Sequence, residues 1–213
     1  EYFMDGIKLK TVDSERDIGV CISSNMKPSA QCADAANKAR AVLNQLTRAF
    51  HYRDKTVFIR LYKQFVRPHL EFSSSVWSPW SIADIQCVEK VQMKAVKMVS
   101  GLVANEYEAR LVELNLWTLE KRRRMADLVQ CYKIVHGIGQ VQCGLLKVEQ
   151  RPERIVTRNL ADNLNLQKPL VRTELRRNSY SVRVIDPWNS LPSEVKHSPN
   201  IAVFKTRLVK WMQ

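Results

Sequence analysis

The chain has 213 residues, 45% of them hydrophobic, with 34 Lys and Arg against 21 Asp and Glu for a formal charge of +13. That hydrophobic content excludes a disordered tail, and no uninterrupted apolar run is long enough to span a bilayer. Acidic and basic residues punctuate the first twenty positions, which excludes a secretory signal there; the basic excess favours a polyanionic partner over a membrane.

Residues 1 to 23 read as β. Asp5-Gly6 is a two-residue hairpin signal between Tyr2, Phe3 and Ile7, Leu9, and Asp17 to Ile22 reads as one short buried strand. A hairpin and a strand do not make a stable sheet alone, so further strands are expected upstream, and Glu1 falls within what reads as a strand. From Pro28 the pattern turns helical, with Ala36, Ala39, Leu43, Leu46 and Phe50 in one apolar stripe. Asp54 is placed to cap a second helix, whose stripe is read as Val57, Leu61 and Phe65, with Lys63 and Arg67 opposite and Pro68 near its end. Ser81 to Asp84 resembles a capping box. The helix after it buries Ile85, Val88, Val91, Ala95 and Met98 or Val99, carries Lys90, Lys94 and Lys97 as a basic stripe at i, i+4, i+7, and stops at Gly101.

A short segment with Tyr107, Leu111 and Leu114 follows. Thr118 then caps a long helix that buries Met125, Leu128, Val129, Tyr132 and Val135 or His136 and ends at Gly137. Residues 138–179 lose periodicity, with Gly139, Gly144, Pro152 and Pro169 among scattered arginines, and read as an extended connection. Ser198-Pro199 reads as the start of a last helix, with Ile201, Phe204, Leu208 and Trp211 inward. The expected fold is mainly α: a short N-terminal β-hairpin and strand, a helical bundle, and an irregular connection before a C-terminal helix. The expected domains are 1–25, 26–137 and 138–213.

Little in the chain suggests catalysis. Two-metal phosphoryl transfer needs converging carboxylates, and the aspartates are never adjacent; Glu106 and Glu108 read as solvated. There is no Gly-rich phosphate loop and no Gly-x-Ser-x-Gly elbow, and none of His51, His69, His136 and His197 has a local partner pattern. The five cysteines, Cys21, Cys32, Cys87, Cys131 and Cys143, form no C-x-x-C pair and read as free thiols of an intracellular protein, nuclear or cytoplasmic. No catalytic and no metal-ligating residue is assigned.

The basic residues are the candidate binding site. Lys121-Arg122-Arg123-Arg124 sits in the first turns of a helix, where the macrodipole disfavours cations, so the run reads as answering an external anion; a nuclear-import signal is the competing reading. Lys90, Lys94, Lys97, Arg122 and Arg123 are the first candidates for phosphate contact, with Lys38, Arg48, Lys63 and Arg67 behind them. The bland reading of the lysine stripe is a solvated helix face. A helical protein-interaction module anchored by Trp77, Trp80 and Trp211 is the alternative from another class.

The chain resembles the carboxy-terminal portion of reverse transcriptases from LINE-type (non-LTR) retrotransposons of the jockey-like and chicken-repeat-like group. The residues that carry the resemblance are Asp17-Ile-Gly-Val20, Leu61-Tyr-Lys63, Val66-Arg-Pro-His-Leu-Glu71, Trp77-Ser-Pro79, Glu89-Lys-Val-Gln92, Tyr107-Glu108 and Arg110-Leu111. In order after them come Leu119-Glu-Lys-Arg-Arg123, Asp127-Leu128, Tyr132-Lys-Ile134, His136-Gly137, Trp188-Asn-Ser-Leu-Pro192 and Phe204-Lys205. Asn115 stands where that family usually has Gly, Met93 where a basic residue is common, and Pro187 where a helix is expected to continue, so that helix must end or kink.

The resemblance implies that residues 1 to about 25 end a polymerase palm and that the following helices are a thumb holding an RNA and DNA template–primer by phosphate contacts. It implies no cofactor in this chain, because the aspartates that hold Mg in the family enzyme lie upstream, and no activity of this portion alone. The partners it implies are RNA, DNA and the upstream palm of the same protein.

Overall fold

Two tight turns set the amino-terminal structure. In the computed structural model, which describes residues 2–102, 106–139, 146–148 and 164–213, β1 (Phe3–Met4) pairs antiparallel with β2 (Ile7–Lys8), Met4 opposite Ile7. The Asp5-Gly6 hairpin is borne out: both residues have positive φ, +50° and +78°, as the hairpin turn that matches strand twist requires. The expected single strand over 17–22 is instead a second hairpin, β3 (Ser14–Asp17) against β4 (Val20–Ser23), turning through Ile18-Gly19. Ile18 adopts φ +44°, a conformation β-branched residues rarely take, and 87% of it is exposed. A Cβ on Gly19 would come within 3.3 Å of the Phe72 ring.

The rest is helical, so the mainly-α expectation holds. The chain divides into two compact units, residues 1–119 and 120–213. In the first, α1 (Ser29–Ala49) presents Cys32, Ala35, Ala36, Ala39 and Leu43 to the core, and its small residues let a neighbouring helix approach closely. Asp54 caps α2 (Lys55–Leu61) by accepting from the Thr56 and Val57 amides at 2.9 and 3.1 Å. A π-helical turn over Tyr62–Val66 joins α2 to α3 (Arg67–Glu71).

That turn corrects the apolar stripe. Val57 and Phe65 are exposed, whereas Phe58, Tyr62, Val66 and Leu70 are buried. Residues four apart drift around an ordinary α-helix by about 40° per step; one widened turn, closed by the Arg67 amide donating to the Tyr62 carbonyl, restores them to a common side. Pro68, which has no N–H, sits directly after it, so the helix widens where it was expected to end.

After α4 (Ser74–Trp77), α5 (Ile82–Lys97) starts at the expected cap: Ser81 Oγ accepts from the Asp84 amide at 3.1 Å and donates to its carboxylate at 2.7 Å. Val88, Val91, Ala95, Val96 and Val99 are buried against α1 and the α2–α3 segment.

The same face carries Glu89 and a fully buried Gln92. The Tyr62 hydroxyl donates to Gln92 Oε1 at 2.7 Å, and Gln92 Nε2 donates to the Tyr107 hydroxyl and the Trp117 carbonyl, both at 3.0 Å. Tyr107 in turn donates to Glu89, which also accepts the Leu119 amide at 3.0 Å. Burial raises the pKa of both tyrosines, so they stay protonated as donors. α6 (Tyr107–Glu113) ends at Asn115, whose φ of +47° is the left-handed conformation glycine adopts at little cost. That is a physical reason for Gly at this position in the resembled family; Asn is the side chain that tolerates it next best.

In the second unit α7 (Leu119–Val135) buries Leu128, Cys131, Tyr132 and Ile134. In the Trp188-Asn-Ser-Leu-Pro192 motif Trp188 and Leu191 are core, whereas Ser190 and Pro192 are exposed. Trp188 is fully buried with Nε1 donating to the Leu164 carbonyl at 2.8 Å, while Asn189 accepts the Leu166 amide and donates to its carbonyl, both at 2.9 Å. Within residues 138–179, α8 (Glu174–Asn178) is helical, Val148 bridges Leu166, and Cys143, Gly144 and Pro152 lie outside the described residues. The break falls at Val184, between α9 (Tyr180–Arg183) and α10 (Ile185–Asn189), three residues ahead of Pro187; Pro187 itself lies in the first turn of α10, where no amide donor is needed.

α11 (Ser193–Lys196) precedes α12 (Ile201–Met212), and here the expected cap is wrong by two residues. Asn200 Oδ1 accepts the Ala202 and Val203 amides at 3.0 and 2.9 Å, while Ser198 is buried, its hydroxyl donating to the Val195 carbonyl at 2.8 Å. Phe204 and Leu208 are the inward residues of α12, and the Phe204 ring stacks on Tyr132 with centroids 4.3 Å apart.

Candidate nucleic-acid interface

Burial of the apolar side of α5 fixes where its lysines stand. Lys90, Lys94 and Lys97 are all exposed and share the opposite side. Lys94 Nζ donates to Asn44 Oδ1 on α1 at 3.2 Å. Lys94 and Lys97 occupy the last turn, where the macrodipole favours cations without any ligand. On α1, Lys38 pairs with Asp34 at 2.9 Å and Arg16 reaches the same carboxylate at 3.1 Å, while Arg48 is exposed in the last turn. The Lys38 hydrogen bond, with the charges of Lys38 and Arg16, holds the Asp34 carboxyl below its ordinary pKa against a partial opposing effect of burial.

Lys63 is brought together with residues the sequence reading did not select. It lines an open groove of about 430 Å³ with Lys55, Thr56, Arg60 and Gln64, floored by Ile59 and Leu114. Lys55 Nζ lies 2.5 Å from Glu113 Oε1. Arg67, beyond the π turn, pairs with Glu71 at 3.8 Å and is only partly exposed. The spacing of Arg60, Lys63 and Gln64 at i, i+3, i+4 was a signal for one polar face; Lys55 and Leu114 join it only through the fold.

The run Lys121–Arg124 does not form one outward cluster. Successive residues of a helix point about 100° apart, and Arg123 is only 3% exposed, Arg122 partly buried and Arg124 exposed. Arg123 therefore does not offer its guanidinium to an external phosphate in this conformation. The second unit presents cations elsewhere: Arg172, Arg176 and Arg177 are exposed at α8, inside the stretch read only as an irregular connection.

Of the proposed aromatic anchors, Trp77 is buried with Nε1 donating to the Phe72 carbonyl at 2.7 Å, Trp80 is half-buried, and Trp211 is 42% exposed. Among the described residues no three His, Cys, Asp or Glu side chains come together as a metal site, and no helix is long and apolar enough to cross a membrane. Cys21, Cys32, Cys87 and Cys131 are thiols that form no disulfide.

Compared with known proteins, the chain matches no family model, no curated protein and no solved structure.

Proposed function

We propose that the chain is a nucleic-acid-holding, carboxy-terminal portion of a LINE-type RNA-directed DNA polymerase, gripping template–primer through phosphate contacts and not catalytic alone. The observation that carries this reading is the solvent-facing row Lys90, Lys94, Lys97 on a helix whose other side is anchored in the core. Such a row is rigidly placed and charged, and it makes contacts that position a duplex without reading its bases. The basic groove beside α2 and the overall charge of +13 add to the attraction. The ordered motifs of the sequence supply the polymerase assignment and, with it, RNA, DNA and an upstream palm as partners and an intracellular site of action.

The test is fluorescence anisotropy of the purified chain with single-stranded RNA, duplex DNA and an RNA–DNA hybrid at several salt concentrations. Tighter binding to the hybrid or RNA, with a steep salt slope, supports the reading; feeble binding to all three, lost near physiological salt, contradicts it. The second reading, a protein-interaction module, draws on the exposed Tyr2, Phe3, Met4 and Ile7 of the first hairpin, but has lost Trp77 as an anchor.

A further inference from the structure

The groove beside α2 combines features that a merely solvated lysine face lacks. It is concave, with a volume of about 430 Å³ that falls in the size class of single small-molecule sites, about 300–1,000 Å³, and is too small for a duplex. Lys55, Arg60 and Lys63 line it, Thr56 and Gln64 add hydrogen-bonding groups, and Ile59 and Leu114 supply an apolar floor. Three cations around one hollow suit a phosphate; an apolar floor beside them suits a planar base, which inorganic phosphate lacks.

The geometry points to a site for a single nucleoside phosphate, its phosphate at Lys55, Arg60 and Lys63 and its base on Ile59 and Leu114. This deepens the nucleic-acid reading and rests on it where the nucleotide belongs to a bound strand; a free nucleotide is the other source of the same chemistry. Glu113 is an internal competitor. Its carboxylate lies 2.5 Å from Lys55 Nζ, with the two side chains 53% and 46% exposed. A pair this wet is weak, so a phosphate carrying more charge displaces the carboxylate. Glu113 then sets the affinity of the groove without closing it.

The experiment uses the full chain, ¹⁵N-labelled, titrated with adenosine 5′-monophosphate, inorganic phosphate and a ten-nucleotide single strand while the amides of Thr56, Ile59 and Gln64 are followed. Adenosine monophosphate is expected to move those amides and to bind more tightly than phosphate alone. E113Q is expected to tighten it by about two- to fivefold, the equivalent of one exposed ion pair. E108Q, the same charge change on α6 away from the groove, is expected to leave it unchanged. A gain of affinity cannot arise from misfolding, and R60Q/K63Q provides the matching loss. Unmoved amides with adenosine monophosphate, or equal effects of E113Q and E108Q, overturn the proposal.

Oligonucleotide shifts at the same amides assign the site to a strand; shifts with the mononucleotide alone assign it to a free nucleotide. If the groove stays silent while charge reversal of Lys94 and Lys97 still abolishes duplex binding, the groove assignment fails and the nucleic-acid reading stands. If adenosine monophosphate binds while duplex and hybrid do not, the reverse holds.

Discussion

Replacing Gln92 by Leu isolates the buried polar network that joins α5 to the α2–α3 segment and to Trp117 and Leu119 of the same unit. The two side chains are close in volume, so no cavity opens. The change removes the acceptor of the Tyr62 hydroxyl and the donor to the Trp117 carbonyl, and Gln92 itself is 0% exposed. An unsatisfied buried polar group costs about 1–3 kcal/mol. Tyr107 retains its bond to Glu89, so the stranded Tyr62 hydroxyl together with the lost hydrogen bond to the Trp117 carbonyl predicts a loss of about 2–4 kcal/mol.

Tyr62→Phe alone leaves one orphan, the Gln92 oxygen, and predicts a loss of about 1–1.5 kcal/mol. The double variant strands neither the Tyr62 hydroxyl nor the Gln92 oxygen, so it should be more stable than the sum of the two losses predicts by about 2–3 kcal/mol. Urea unfolding followed by far-UV circular dichroism and Trp fluorescence measures all three, with the midpoint shifting at constant slope. A Gln92→Leu loss below about 1 kcal/mol, or strict additivity, would refute the account of the network.

Three further outcomes are expected. Ile18→Asn should stabilise the second hairpin by about 1 kcal/mol, because Asn accepts positive φ and a β-branched side chain does not; urea unfolding checks it, and a loss of stability contradicts the turn. The folded pKa of Asp34 is depressed, so its ion pairs contribute stability above the unfolded carboxylate pKa of about 3.9 and lose it as pH falls through the folded value. Lys38→Met should raise the Asp34 pKa toward the ordinary value in an NMR titration, and an unchanged titration contradicts the pairing. In native protein near pH 8 a thiol reagent should label Cys21 and Cys87 before Cys32 and Cys131. Both of the latter are buried, and burial with the nearby Asp127 charge pushes the Cys131 thiol well up; equal rates contradict that order.

The parts of the fold that were legible in the sequence rest on local chemistry. Asp5-Gly6 announces a turn because both residues accept positive φ, and Asp54 and Ser81 announce helix starts because their oxygens reach amides two or three residues on. Ile18-Gly19 gave no such signal: the strained residue is the type that normally marks a strand. The stripe over 57–65 misled because one π-helical turn changes the periodicity on which helix reading depends, and its consequence is read from Phe58, Tyr62, Val66 and Leu70 only once Pro68 is seen inside the helix.

The candidate site divides in the same way. The α5 lysines were legible from their i, i+4, i+7 spacing against a strong apolar face. Arg123 was misplaced because composition does not say which member of a basic run turns inward. Lys55, from the start of α2, and Leu114, just past α6, meet at the groove only through tertiary packing.

The most direct test of the nucleic-acid reading is the salt dependence of hybrid binding for the wild-type chain and for the triple variant Lys90→Gln, Lys94→Gln, Lys97→Gln. The account predicts weaker binding to every sequence tried and a shallower log–log salt slope, by roughly 0.7–0.9 for each phosphate contact removed. Affinity and slope equal to wild type, in a variant that unfolds at the same urea midpoint, would show the lysine row to be a solvated helix face.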